Sequence, residues 1–306
     1  MSDSARALVT GASGYIGSQL VKALLERGWQ VHVLLREHSS LDMLQAVSSN
    51  VAVHRHDGTT VGLIETMRLI QPTTVFHLAS LFLAQHEASD VGSLVESNVL
   101  FSTQLLEAMV ASGTRRMVNT GTSWQHFESD AYRPVNLYAA TKQAFEDILA
   151  YYADAKGIQA ITLHLFDTYG EADPRAKLIA LLRKTANSQV PLTMSAGEQL
   201  IDLVHVDDVI QAYVLSAALL ESPNFASPQS FGVSSGAAMR LKDLVAVFEK
   251  VWDVRLPIEW GVRPYRDREV MRPWTNCPSV PGWKPQISLE AGLAAVRAHE
   301  LQSKPQ

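Results

Sequence analysis

Short apolar runs rich in β-branched residues alternate along this chain with longer stretches whose apolar positions recur every three or four residues. The runs predict strands at Arg6–Thr10, Gln30–Leu35, Val51–Arg55, Thr73–Ala79, Arg115–Thr120 and Ile158–Phe166. The periodic stretches between them predict amphipathic helices, among them Ser18–Arg27, Leu94–Ala111 and Leu137–Ala155. Strand, helix, strand at roughly thirty-residue spacing reads as an α/β chain with a doubly wound parallel sheet. Continuous apolar strands such as ALVT and TTVFHLA suit burial on both faces.

After Gly170 the rhythm changes. Residues 171–202 and 236–306 hold longer loops and most of the prolines, and are expected to form a smaller C-terminal domain. Residues 1–170, with a return segment at 203–235, are expected to build the main sheet. The last five residues are expected to fray.

Composition narrows the class without naming it. The chain has 306 residues, 47% of them hydrophobic and 19% charged, as in ordinary globular proteins. A net charge of -5 with mixed signs offers no basic footprint for nucleic acid or an acidic membrane. No apolar run approaches the ~20 residues that span a bilayer. The start, MSDSARALVTG, enters a strand almost at once and leaves no room for a secretory signal. One cysteine, Cys277, has no internal partner for a disulfide, so a reducing cytoplasm is expected.

The first strand ends in TGASGYIGS, with Gly11, Gly14 and Gly17 leading into a helix. Glycines let a backbone turn sharply and approach a pyrophosphate, and the helix N-terminus offers free N–H groups. The spacing is GxxGxxG rather than the common GxGxxG, but its place between a buried strand and an amphipathic helix favours a dinucleotide. Sites for NAD usually carry an acid about 20 residues further on, for the ribose 2′-hydroxyl. Here Leu35 stands there, followed by Arg36, Ser39 and Ser40. A guanidinium pairs with a 2′-phosphate, so NADP is preferred over NAD. Asp57 is placed either to contact the adenine or to close a turn. His54 and His56 have metal-like spacing but no third ligand nearby, so no metal is expected.

Tyr138 and Lys142 leave one face of the third predicted helix. The lysine either covers an apolar surface or makes the phenol more acidic. TGASGYIGS, HLAS at 77–80, Asn98, TGTSW at 120–124, YAATK at 138–142, LFDTYG at 165–170, LVHVDDV at 203–209 and GWKP at 282–285 decide between these. In that order they resemble the extended short-chain dehydrogenase/reductase family, in its nucleotide-sugar epimerase and dehydratase group. TGTSWQHF, NLYAATKQAFEDIL and the stretch around Asp173-Pro174-Arg175 are most similar to its CDP-abequose synthase-like reductases of keto-deoxysugars.

The resemblance implies a Rossmann-type fold that binds NADP in residues 1–170 and a nucleotide sugar through the smaller domain. It implies Tyr138 as general acid/base, acidified by Lys142 and by a positive nicotinamide, with Lys142 also on the nicotinamide ribose and Thr122 holding the substrate oxygen. Cofactor contacts are implied for Gly11, Ser13, Gly14, Tyr15, Ile16, Gly17, Arg36, Ser39, Ser40, Asp57, Gly58, Leu78, Ala79, Ser80 and Asn98. Substrate contacts are implied for Ser123, His126, His86, Asp167 and Arg266, the last on a diphosphate; Arg263 and Arg268 beside it read as surface charge.

Several positions depart from the family pattern. Ser123 and Trp124 stand where sugar dehydratases carry an acidic pair. Asp202 follows Ile201 rather than an arginine, Gln125 to Phe127 replace a tyrosine-glycine pair, and His164 replaces an arginine. These departures point to an NADPH-dependent reductase of a keto-deoxysugar, the 4-keto form first, and the resemblance implies a homodimer through the helices at 94–111 and 137–155. A nucleotide-sugar 4-epimerase with retained cofactor is the alternative, and a non-catalytic NADP sensor is the alternative of another class.

Overall fold

Five residues, RALVT, form a strand with four of its five side chains out of water, and this strand, β1 (Arg6–Thr10), becomes the axis of the protein. The structure is a computed structural model and describes residues 5–188, 190–223 and 225–303. Around β1 lie β2 (Gln30–Arg36), β3 (Val51–His56), β4 (Thr74–His77), β5 (Arg116–Thr122) and β6 (Gln159–Leu165). Short strands follow: β7 (Asp167–Tyr169), β8 (Leu192–Thr193), β9 (Leu200–Ile201) and β10 (Leu203–His205). The strand β11 (Gln229–Val233) then rejoins the main sheet, and β12 (Met239–Arg240) and β13 (Ile258–Glu259) are two-residue pairings.

The main sheet runs β11-β6-β5-β4-β1-β2-β3, and every pairing in it is parallel. The order reverses between β1 and β4. A crevice opens there at the strands' C-terminal ends, the place where such sheets take their ligands.

Helices cover both faces. On one side α1 (Tyr15–Glu26) and α7 (Val206–Leu219) close over Val9, Val33, Phe76, Val118 and Leu163. On the other, α2 (Thr60–Ile70), α4 (Phe101–Ser112) and α5 (Leu137–Lys156) pack on Leu8, Leu34, Val75, Met117 and Ala160. A separate apolar cluster joins α6 (Leu178–Ser188), α8 (Leu241–Trp252) and α9 (Leu289–Ser303).

Four boundaries differ from the sequence expectation, each for a local reason. The helix expected from Ser18 starts at Tyr15, because Gly14 in extended backbone already serves as its N-cap. The strand expected to reach Ala79 stops at His77. Its partner β1 ends at Thr10, and residues 78 and 79 bend to cover Gly11. The helix expected from Leu94 is preceded by α3 (Val91–Val95) and a π-helical turn, Glu96–Leu100, before α4. Such a turn carries one extra residue and re-aims a side chain, here Asn98, which is 1% exposed.

The fourth concerns packing: Trp274, Cys277, Val280 and Trp283, in the stretch expected to form the smaller domain, pack with the β1-centred core. Gly232 on β11 donates to Pro278 O at 2.8 Å, and Trp283 Nε1 donates to Asp208 O at 2.8 Å. The Asp208 carboxylate takes the N–H groups of Gln286 and Ile287, both at 3.0 Å. No helix among the described residues is long and apolar enough to cross a membrane. Helix α9 continues to Ser303, and the last three residues expected to fray lie outside the described part.

Asp208→Ala strips two part-buried N–H groups of their acceptor and leaves a gap at a buried position. Chemical denaturation is expected to read a loss of about 2–4 kcal/mol; a loss under about 0.5 kcal/mol would mean this clasp contributes little.

Candidate active site

Space forces the glycine loop. Gly11 has φ +71°, and a Cβ there would stand 2.6 Å from both Leu78 C and Ala79 N. A Cβ on Gly17 would strike the carbonyl of Gly11. The loop is therefore a backbone-only surface facing the 78–79 segment at the switch point. Gly14 caps α1 without a side-chain hydrogen bond, and no acid stands in that helix's first turn. Free N–H groups, a positive dipole end and no competing carboxylate fit a pyrophosphate. Ser13 and Ile16 are half-buried and Tyr15 is buried. Tyr15 Oη donates to Glu171 O at 3.0 Å, and Arg175 lies 4.8 Å over its ring, tying the loop to the segment that enters α6.

At the far end of the crevice Arg36 closes β2 with an exposed side chain. The loop behind it is braced by Arg55, whose Nη1 donates to the carbonyls of Arg36, Glu37 and Ser39 at 2.8 to 3.0 Å. Ser40 Oγ accepts from Asp42 N at 3.0 Å. Asp57 serves the turn before α2: its carboxylate takes the N–H and hydroxyl of Thr59, which hold it below the usual carboxylate range. Gly58 beside it needs φ +87°. His54 pairs with His32 at 3.0 Å, and the described residues contain no cluster of three or more metal-type ligands.

Residues 78–82 link this cradle to the third group of predicted residues. Thr10 Oγ1 accepts from Ala79 N at 3.2 Å and bonds to His77 Nδ1 at 2.8 Å. His77 is fully buried, and burial pushes it down to about 3, so it is neutral. Leu81 is held at both N–H and C=O by Asn98, whose Nδ2 also donates to Thr141 Oγ1 at 3.0 Å. Asn98 thus spends its amide aligning α5 with the loop after β4. Asn136 caps α5 through Ala139 N at 2.9 Å and donates to Ala84 O at 2.9 Å, fixing the same two elements. His86, in that loop, is exposed.

Tyr138, in the first turn of α5, is 8% exposed, hydrogen-bonds to Ser80, and meets the Phe82 ring edge-on at 5.0 Å. Phe82 also stands 5.6 Å from the Trp124 ring and 5.6 Å from Lys177 Nζ. Phe82 and Lys177 were not legible as site residues; the only signal was an aromatic two residues past HLAS. Thr122 ends β5, 8% exposed, its hydroxyl accepting from Trp124 N at 3.3 Å, with Ser123 half-buried beyond it. Lys142, one turn after Tyr138, is 2% exposed.

The expected acidification of Tyr138 by Lys142 is not the behaviour of this chain by itself. Burial pushes the phenol up to about 12, with Ser80 pulling the other way. Burial also pushes Lys142 down to about 8, against the opposing pull of Glu146. Desolvation is the largest cause at each and favours its neutral form.

The remaining predicted contacts scatter. Asp167 pairs with Lys177 at 3.4 Å beside Phe82. His126 stacks on Trp274 at 3.9 Å and bonds to Asp130 O at 3.1 Å, under the loop that precedes α5. Arg268, not Arg266, engages that loop: it donates to Pro134 O at 2.7 Å and Val135 O at 3.1 Å and lies 4.2 Å over the Phe127 ring. Arg266 is exposed, its Nε 3.9 Å from the Glu269 carboxylate, and Arg263 donates to Thr193 Oγ1 at 3.0 Å. Asp202 is buried and occupied by Ser234 Oγ at 2.5 Å and Ser235 N at 2.9 Å.

Comparison with known proteins agrees with this geometry. Residues 7–227 match the model of the NAD dependent epimerase/dehydratase family. CDP-abequose synthase of Yersinia pseudotuberculosis is 27% identical over 88% of this chain and 91% of its own. UDP-glucose 4-epimerase of Halalkalibacterium halodurans is 27% identical over 92% of both. The structure of Thermus thermophilus UDP-glucose 4-epimerase in complex with NAD shares the fold, with TM-score 0.82 and 24% identity over 98% of this chain and all of that one. A backbone-only cradle at the switch point, a Tyr-x-x-x-Lys helix beside it and the matched family model place this chain in the NAD dependent epimerase/dehydratase family of extended short-chain dehydrogenase/reductases, as an NAD(P)-dependent enzyme.

Proposed function

We propose that the protein is an NADPH-dependent reductase of a nucleotide-activated keto-deoxysugar, the 4-keto form first, with Tyr138 as proton donor. The observation that supports this direction is the end of β2, where the exposed Arg36 stands in place of the acid that a site for retained NAD carries. A guanidinium there suits NADP(H), which a reductase exchanges at each turnover.

NADPH, when bound, supplies the hydride. The chain does the rest. Gly11, Gly14, Gly17 and the first turn of α1 seat the pyrophosphate, with Leu78, Ala79 and Ser80 along the crevice. Arg36, Ser39 and Ser40 stand where a 2′-phosphate is read. Thr122 offers a hydroxyl to the substrate oxygen, Tyr138 gives that oxygen its proton, and the Lys142 ammonium lies one turn behind. Phe82 and Trp124 wall the pocket on the apolar side, and Lys177 brings a cation to its rim. Ser123, His126, His86, Asp167 and Arg266 remain the candidates for sugar and diphosphate. A cytoplasmic setting supplies NADPH and suits the free thiol of Cys277.

A second reading, a 4-epimerase that retains its cofactor, draws support from the similarity to UDP-glucose 4-epimerase. Incubation with NADPH and CDP-, dTDP-, GDP- or UDP-linked keto-deoxysugars separates the two. Stoichiometric loss of NADPH absorbance supports the reductase. Interconversion of two sugars with no NADPH consumed, by protein that purifies with bound NAD, sinks it.

Three further outcomes are expected. Tyr138→Phe lowers turnover by about 10²–10⁴-fold and leaves NADPH affinity within about twofold; unchanged turnover removes Tyr138 from the mechanism. Arg36→Glu weakens NADPH by about tenfold or more and spares NADH, read by fluorescence titration; equal effects on both refute the 2′-phosphate role. Sedimentation is expected to give a homodimer, with Leu100 on the turn into α4 and Tyr151 on α5 exposed at 51% and 56%; a monomer at assay concentration refutes that interface.

A further inference from the structure

Glu146 leaves α5 one turn after Lys142, and its side chain is only 12% exposed. Each carboxylate oxygen has its own partner. Oε1 accepts from Gln125 Nε2 at 2.8 Å, and Oε2 lies 3.3 Å from His164 Nε2 on β6. Both partners are buried and reach the same residue. Gln125 Oε1 accepts from Thr122 N at 3.0 Å, and His164 Nδ1 is 3.3 Å from Thr122 O. The two backbone polar groups of Thr122 are thus held by two side chains that Glu146 holds in turn.

We propose that Glu146 is a positioning residue of this site: its carboxylate is the counter-charge one turn after the buried Lys142 and, through Gln125 and His164, fixes Thr122 at the end of β5. Burial by itself would raise the Glu146 carboxyl, but His164, then Gln125 and Lys142, reverse this and hold it below the usual carboxylate range. The carboxylate therefore stays ionised. At Lys142 the balance runs the other way, burial pulling it down to about 8 with Glu146 opposing. The other titratable groups facing the pair are Tyr138 on α5, His77 from β4, His126 after β5 and His164 from β6. His77 is neutral, and burial, followed by His164, lowers His126. None of them supplies a second negative charge, so Glu146 is the anion that favours the Lys142 ammonium.

The inference rests on the reading of Lys142 as a cofactor contact, and its test is NADPH affinity across pH, read by fluorescence. A raised pH removes the ammonium as it passes the lysine's pKa, so wild-type affinity falls above about 8. Glu146→Gln deletes the anion that favours the ammonium, so the fall is expected about one pH unit lower. Gln125→Met breaks the link to Thr122 but keeps the anion. It is expected to leave the pH of the fall unmoved and to lower turnover about tenfold on the keto-sugar reduced by the wild type. Should Glu146→Gln fail to fold, Glu146→Asp, which keeps the charge and withdraws it by one methylene, gives a smaller shift of the same sign. Binding that shows the same pH dependence in wild type and Glu146→Gln, or the same in Glu146→Asp where that variant stands in, overturns this inference alone. Wild-type protein that binds no dinucleotide overturns the cofactor reading and this inference together.

Discussion

A lysine buried to 2% exposure is the constraint from which the site's other arrangements follow. Taking an ammonium out of water costs several kcal/mol unless a counter-charge and hydrogen bonds replace the lost hydration. Helix α5 places a carboxylate one turn on, but that carboxylate is buried as well and needs donors of its own. Gln125 donates to it at 2.8 Å, and His164 Nε2 stands 3.3 Å from its other oxygen. Because both side chains also reach Thr122, the need to stabilise one charge ends by fixing the last residue of β5. Thr122 sits at the last position of β5, where the ladder with β6 still pairs it with Leu165, so its backbone is held on both sides.

The frame was legible because it rests on periodicity. Six of the main sheet's strands were placed within two residues at each end, since buried parallel strands read as continuous apolar runs. The glycine loop was legible for a related reason: at Gly11 and Gly17 no other residue fits, so the sequence and the space say the same thing. The Tyr138–Lys142 spacing was legible as a shared helical face, though its electrostatics were not. Acidification was expected from Lys142 together with a positive nicotinamide; in the chain without a dinucleotide, burial, which a sequence does not display, pushes the phenol the other way.

What the sequence hid depends on long-range contact. Gln125 and Glu146 stand 21 positions apart and Arg268 and Pro134 stand 134 apart, and neither pair has a local signature. His164 reads as a departure without a consequence until it is seen beside Glu146 and Thr122. Asp202, a second departure because Ile201 precedes it, accepts from Ser234 and Ser235 and closes the turn there. The π-helical turn around Asn98 escapes pattern reading because a single extra residue leaves the apolar period nearly intact.

The five residues 78–82 join matters that the chain could have kept apart. Leu78 and Ala79 lie against Gly11 and so shape the cofactor cradle. Ser80 bonds to Tyr138, Leu81 is gripped by Asn98, and Phe82 walls the phenol. A shift of this segment moves the neighbour of the glycine loop and the Tyr138 phenol together, with Thr10 and the neutral His77 anchoring it beneath. Outside it stand the loop at 126–136 clasped by Arg268, the Asp167–Lys177 pair beside Phe82 and the exposed stretch around Arg266. None of these contacts involves Gly11 or Ser80, so a change there leaves the glycine loop and the Tyr138 bond as they are.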